Sequence, residues 1–300
     1  MAFAGYNRHM DVIESSELAV ELSSFSAAVH SVYVKRQGRY VTLRLPDEKL
    51  HSYDPSYSGN TIFPYAGRIK KAVWKGVKLD GNDGYNSLHG GFSAHEACFD
   101  LLDKSRVHAL YHLYRKAGED CLPCARDYFV RYEVKDSTLL IRHSMSAALP
   151  VLCDTTCHLY FNLDGSDTVD NHFIRLESGE MVVNDSEHCG KEIMKTEGTV
   201  FDLCGGKRLG SIIHCDGLSF SRGLNNAYIL KEGSFLQLSA GGIKLTAASD
   251  SPAVVLYSGG YLERPFSFLA VEFQGIPINS MREEWKNYER NFAFTFSSCE

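Results

Sequence analysis

Residues 128–143 read Tyr-Phe-Val-Arg-Tyr-Glu-Val-Lys-Asp-Ser-Thr-Leu-Leu-Ile-Arg-His. Tyr128, Val130, Tyr132 and Val134 alternate with Phe129, Arg131 and Glu133, close to what a strand half-buried in a sheet requires. Lys135-Asp136 turns the chain, and Thr138 to His143 returns as a second strand. The same grammar recurs along the chain. Val29 to Val34 leads through Gln37-Gly38 to Arg39–Leu45, and Ala72 to Trp74 through Lys75-Gly76 to Val77–Leu79, which ends at Asp80-Gly81. Phe235 to Leu238 leads through Gly241-Gly242 to Ile243–Ala247, with Ala253 to Tyr257 following. Helical patterns are few: Ser93 to Leu102 has room for two or three turns, and Trp285 and Tyr288 suggest a short helix over Met281 to Asn291. Strands and turns spread from end to end predict an all-β fold, one large antiparallel β sandwich with few short helices.

The composition agrees. A chain of 300 residues buries roughly three quarters of its extended surface. With 44% hydrophobic and 23% charged residues it belongs with globular proteins and not with disordered ones. Length alone allows two domains. With no Pro/Gly/Ser linker, low-complexity tract or fixed-period repeat, we expect residues 1–300 to form a single domain, with two all-β domains as the alternative. A net charge of −6 argues against nucleic acid or an anionic membrane as the main partner. No apolar run approaches a membrane span, and residues 1–14 show no signal-peptide core. The nine cysteines are therefore expected as reduced thiols of a cytoplasmic protein.

Four segments put polar groups where a core strand would be apolar. In Cys157-His-Leu-Tyr-Phe-Asn-Leu163, alternation sets His158, Tyr160 and Asn162 on one face, as a polar ligand pocket needs. A satisfied structural histidine is the bland alternative. In Leu269-Ala-Val-Glu-Phe-Gln274, Glu272 shares a face with Ala270 and Gln274. A carboxyl buried there would have a raised pKa suited to proton transfer, whereas on an edge strand it would merely be solvated. Asn86-Ser-Leu-His-Gly-Gly91 holds His89 in a loop shaped by two glycines. Phe63-Pro-Tyr-Ala-Gly-Arg-Ile69 carries Arg68 after a Pro/Gly turn, where its five-donor fork suits sugar hydroxyls or a carboxylate.

These four segments, in this order, resemble the aldose 1-epimerase (galactose mutarotase) family. Thr199-Val-Phe-Asp-Leu203, Ser249-Asp-Ser-Pro252 and Leu256-Tyr-Ser258 add weaker echoes, so the resemblance spans roughly residues 15 to 280. It implies the large antiparallel sandwich of that family and the interconversion of α and β anomers of free aldoses. It further implies Glu272 as the base at O1, His158 as the acid at the ring oxygen and His89 as its support. Arg68 and Gln274 match sugar-binding positions, as does Asn225 in Gly223-Leu-Asn-Asn226, where members usually carry Asp. Gly67 stands where many members have Asn. These two departures put sugar preference in question more than chemistry. Opening a hemiacetal moves protons only, so no metal or organic cofactor is expected, and the partner is a monosaccharide. A monomer or a homodimer would serve.

Two other functions compete. A hexose-phosphate epimerase would need further Arg or Lys beside Arg68. A carbohydrate-binding module without turnover would suit the change to Asn225. Cys121-Leu-Pro-Cys124 invites zinc, with Cys153 and Cys157 as partners, but their spacing is poor and no redox βαβ context surrounds them. His95-Glu96 lacks the second histidine of a zinc-protease helix, Asn184-Asp-Ser186 is an idle sequon in a cytoplasmic protein, and no phosphate-loop or dinucleotide fingerprint is present.

Overall fold

The computed structural model describes residues 10–45, 54–92 and 97–299. Its largest element is a nine-stranded sheet. Arg126–Lys135 and Thr138–Leu152 form its central hairpin, with Lys135 opposite Thr138 across the turn that the sequence predicts. Glu284–Ser298 lies on the far side of this hairpin, followed by Ile243–Ser249 and Phe235–Ala240, whose own turn pairs Ala240 with Ile243. All these pairings are antiparallel.

A six-stranded sheet covers one face of the first. Its order runs Leu159–Phe161, Leu269–Gln274, Ala253–Tyr257, Asn225–Ile229, Glu180–Asn184 and Gly190–Lys195. The contact between sheets is aromatic. Phe161 meets Phe294 at 5.5 Å between ring centroids, and Phe273 meets Phe294 at 6.2 Å and Phe292 at 6.5 Å. Aligned antiparallel sheets joined by such interdigitation are a β sandwich, and the all-β expectation holds. Among the described residues, one contiguous apolar cluster reaches from Ile13 to Phe296. A four-stranded sheet of residues 11–40 packs beside the central hairpin, with the Tyr132 hydroxyl donating to the Ala27 carbonyl and Tyr111 to Asp11 at 2.9 Å.

Both helical expectations need correction. Residues 93–96 lie outside the described segments, and Asp100–Lys104 is an exposed edge strand paired with His108–Arg115. Its charges, Asp100, Asp103 and Lys104, are what keeps such an edge from pairing further. A single 3-10 turn, Asn279–Met281, ends where the helix was expected to begin, and Glu284–Ser298 is a strand held on both sides, by Thr138–Leu152 and by Ile243–Ser249. Trp285 and Tyr288 do pack edge to face at 6.1 Å. Their spacing imitates a helix, but the buried alternation of Phe292, Phe294 and Phe296 and the two neighbouring strands decide the conformation.

Candidate active site

Glu272 sits on an interior strand, between Leu159–Phe161 and Ala253–Tyr257, which removes the edge-strand alternative. Leu269, Val271 and Phe273 enter the core; Ala270, Glu272 and Gln274 face the other way, as alternation requires. That second face is roofed by loops, and Glu272 is only 3% exposed. The neighbouring strand pairs Leu159 with Val271, so the next pair along sets His158 beside Glu272. The result is a contact of 3.3 Å between His158 Nε2 and Glu272 Oε1.

Burial governs the chemistry of this pair. It pushes the Glu272 carboxyl up to about 8, against a smaller downward pull from the Arg68 charge. It pushes the His158 imidazole down to about 3. Both directions have one cause, the cost of holding charge away from water. The two groups lie side by side, each held toward its uncharged form. His158 Nδ1 is buried without a hydrogen-bond partner, so the ring is supported at Nε2, the atom facing Glu272.

The other two members of that strand face do different work from the predicted row of ligands. The Tyr160 ring stacks on His158 at 4.9 Å and its hydroxyl donates to the Ser56 carbonyl at 2.9 Å. Asn162 clasps a loop, donating to the Ser166 and Ser267 carbonyls at 2.8 Å and accepting from Gly165 N–H at 2.9 Å. Only His158 of the three meets Glu272.

His89 arrives from the predicted glycine loop. It has φ of +49°, followed by Gly90 and Gly91 at +83° and +85°. A Cβ on Gly91 would stand 2.7 Å from the Asp80 side chain, so the loop needs glycine there. His89 exchanges two bonds with Gly67: its N–H donates to the Gly67 carbonyl, and its Nδ1 accepts from Gly67 N–H, each at 3.1 Å. A backbone N–H can only donate, so neutral His89 must carry its proton on Nε2. Its ring lies 5.5 Å from that of His158 and 4.8 Å from that of Tyr57.

Five of the expected residues, Arg68, His89, Asn225, Glu272 and Gln274, line one cleft, and His158 touches Glu272 at 3.3 Å. Gln274 is fully buried with its Oε1 unpartnered, an acceptor open to a ligand. Asn225 begins a strand, and its carbonyl accepts from Asn184 Nδ2 at 2.8 Å. Arg68 is the one cation among the described residues lining the cleft, and Asp83 already engages its Nε at 2.7 Å. A phosphate subsite is therefore not supported there.

Sequence reasoning missed the clamp behind the cleft. Asp154 accepts from Gly275 N–H at 2.6 Å and from Arg282 Nη1 at 3.4 Å. Arg282 Nη2 donates to the carbonyls of Ala66 at 2.8 Å and Arg68 at 3.1 Å. Those carbonyls flank Gly67, so the clamp fixes the peptide that holds His89. A Cβ on Gly67 would meet Arg282 Nη2 at 3.3 Å and Gln274 Nε2 at 3.4 Å, which fits the absence of a side chain here. No local pattern reveals the clamp, because the bonded residues are separated by 216 and 214 positions.

His89, His158 and Glu272 also bring three donor atoms within 4.8 Å of one another, as do Asp185, Glu187 and Cys189. These are the described groups able to hold a metal ion, and neither includes Cys121 or Cys124. Cys121 instead donates to Asp80 and Cys124 to the Leu149 carbonyl, and all nine cysteines are free thiols.

An antiparallel sandwich that buries a carboxyl–imidazole pair beside a polar cleft is a frame suited to acid–base chemistry. The sequence model of the aldose 1-epimerase family matches residues 11–291, and the chain belongs to that family. Galactose mutarotase of Bos taurus is 25% identical over 264 residues, covering 84% of this chain and 77% of that protein. Aldose 1-epimerase of Haemophilus influenzae is 26% identical over 262 residues, covering 78% and 76%. Among solved structures, a GalM/aldose epimerase homologue from C. elegans has a TM-score of 0.88 at 24% identity, covering 97% of this chain and 100% of that one. Galactose 1-epimerase from Lactobacillus acidophilus NCFM has a TM-score of 0.89 at 21% identity, covering 97% and 95%. At these identities the structural matches establish the fold. No described helix is long and apolar enough to cross a membrane.

Proposed function

We propose that this protein interconverts the α and β anomers of a free aldose by acid–base ring opening. The observation that carries the reading is the 3.3 Å contact of His158 Nε2 with the Oε1 of Glu272, which lines a polar cleft. Glu272 as carboxylate takes the O1 proton while protonated His158 gives a proton to O5. The C1–O5 bond breaks and O1 becomes a carbonyl. Rotation about C1–C2 then exposes the other carbonyl face. Closure reverses both transfers, so C1–O5 forms again with the opposite anomer. Carboxylate with imidazolium before opening, and carboxylic acid with imidazole after it, differ only in where one proton resides. Burial favours the uncharged form in the free site, and the 3.3 Å separation sets the two groups side by side for transfers to and from the substrate. Each transfer is worth roughly 10²–10⁴ in rate.

In this reading His89 Nε2–H steadies the ring oxygen, and Arg68, Asn225 and Gln274 hold hydroxyls. All six residues come from one chain, so a monomer or a homodimer would work. The continuous core supports taking residues 1–300 as one domain, and nine free thiols suit the reducing cytosol. The test is polarimetry or NMR on freshly dissolved α-aldoses. Anomer equilibration faster than in buffer is expected; no acceleration by folded protein across a broad sugar panel would overturn the reading. A binding module without turnover would instead bind sugar while wild type and Glu272→Gln proved equally inert.

A further inference from the structure

The two cleft histidines are held by different means. His89 is fixed by hydrogen bonding, since its Nδ1 accepts from Gly67 N–H at 3.1 Å. His158 meets Glu272 through Nε2, but its Nδ1 is buried without a hydrogen-bond partner. A single polar contact does not fix an imidazole about χ2, a torsion with broad wells. Rings confine it instead. Tyr160, two residues on, lies against His158 at 4.9 Å and 27°, and Tyr57 lies near-parallel to it at 6.1 Å and 22°. The Tyr57 ring also meets that of His89 at 4.8 Å and 60°.

The backbone that brings Tyr57 there is strained and braced. Tyr57 has φ of +56°, rare for a bulky residue. Its N–H donates to the Asp54 carbonyl at 3.0 Å. The Asp54 carboxylate accepts from the N–H groups of Ser56 at 3.2 Å and Ser58 at 3.4 Å. The turn is fastened to the strand of His158 itself. Gly59 N–H donates to the His158 carbonyl, and His158 N–H to the Asn60 carbonyl, each at 2.9 Å. The Tyr160 hydroxyl donates to the Ser56 carbonyl at 2.9 Å. A Cβ on Gly59 would stand 1.9 Å from the Val29 carbonyl oxygen, so this close approach needs glycine. Strain held by so many bonds fixes one side chain in place, and that side chain is the Tyr57 ring.

We propose that Tyr57 is a positioning residue, whose ring holds the His158 imidazole with Nε2 toward Glu272 in place of the hydrogen bond that Nδ1 lacks. Its effect on rate rests on the proposed anomerase reading; its effect on the ring does not. The described residues lining the cleft do not include Tyr57, so it acts through His158 and not on the sugar. A shift of the acid by about 1 Å is enough to cost on the order of 10²-fold in rate.

The test compares Tyr57→Leu, which keeps apolar bulk beside Ile62 and Ala66 but removes the flat face, with Tyr57→Phe, which keeps the ring. Tyr57→Leu should lower kcat about ten- to a hundredfold with KM within about twofold of wild type. Tyr57→Phe should recover kcat to within about threefold. A raised KM with unchanged kcat, a Phe variant as slow as the Leu variant, or a Leu variant as fast as wild type would overturn the proposal. Nitrogen-15 NMR of the imidazoles asks the same without turnover. His158 should hold one tautomer in wild type and Tyr57→Phe and exchange between two in Tyr57→Leu. His89, fixed by Gly67, should keep its Nε2–H tautomer in all three. If wild type turns over no sugar, this contrast still supports positioning. An unchanged His158 in Tyr57→Leu, or both histidines changed alike, rejects it. Should Tyr57→Leu not fold, Tyr57→Met takes its place in both measurements.

Discussion

Two buried ionisable pairs meet the same strand within a few residues of each other, and they are built on opposite plans. Asp154 and Arg282 are surrounded by partners: a backbone N–H on one side, two backbone carbonyls on the other. Burial pushes Asp154 up, but Arg282 and Gly275 N–H oppose it, and Asp154 in turn opposes the downward push of burial on Arg282. His158 and Glu272 have little beyond each other and a weak pull from Arg68. Neither side chain is tied into a network of that kind. A pair with many partners is fixed and can hold a loop; a pair with few is poised and can exchange protons with a ligand.

The largest way to break this contrast is to disable the poised pair. Glu272→Gln and His158→Asn should each lower the anomerisation rate by about 10²–10⁴, and the double variant by much less than the product, because the pair acts as a unit. Initial rates by polarimetry measure this, and multiplicative losses would show that the two residues act separately.

The next effect tests the clamp. Arg282→Met leaves Asp154 buried without its main cation, which should cost about 3–5 kcal/mol in urea unfolding. Adding Asp154→Asn should recover part of that loss. If the single variant unfolds like wild type, the clamp is not holding the Gly67 loop.

A smaller effect sharpens the comparison through pH. Glu272 titrates at about 8 in the folded protein against 4.5 for an unperturbed carboxyl. Between those values the folded state binds more protons than the unfolded one, so this group makes stability fall as pH rises toward about 8. His158, pushed down to about 3 from 6.5, makes stability fall as pH drops through that window. Glu272→Gln should therefore gain on wild type between pH 5 and pH 9 in urea midpoint. The same difference at both pH values would mean that burial does not perturb the carboxyl.

The smallest effect concerns Asn225. Asn225→Asp puts an acid on the cleft wall. It should change relative kcat/KM among aldoses by about tenfold or less while leaving unfolding within about 0.5 kcal/mol. A uniform change for every sugar would remove Asn225 from specificity.

Much of the fold was legible because its signal is local. Alternation over Tyr128–Val134 and glycine or charged turns specify strand and hairpin from neighbouring residues alone. The motifs around Arg68, His89, His158 and Glu272 were equally legible as polar interruptions of apolar strands. Where local spacing misled, at Trp285 and Tyr288, the outcome belonged to strands more than a hundred residues distant: Val151 lies opposite Trp285. The alternation that grouped Tyr160 and Asn162 with His158 was right about the chain but silent on what lay across it.

The sequence by itself determined an antiparallel β protein, its family and residue types suited to proton transfer, because period-two patterning and short motifs are properties of adjacent residues. Tertiary structure alone decided that Glu272 touches His158, that Gly67 sets the His89 tautomer, and that Asp154 and Arg282 hold that peptide. Each of these depends on cross-strand register, on burial or on backbone groups brought from far along the chain. The pKa of Glu272 follows from how much water the fold removes around it, a quantity that no stretch of sequence carries.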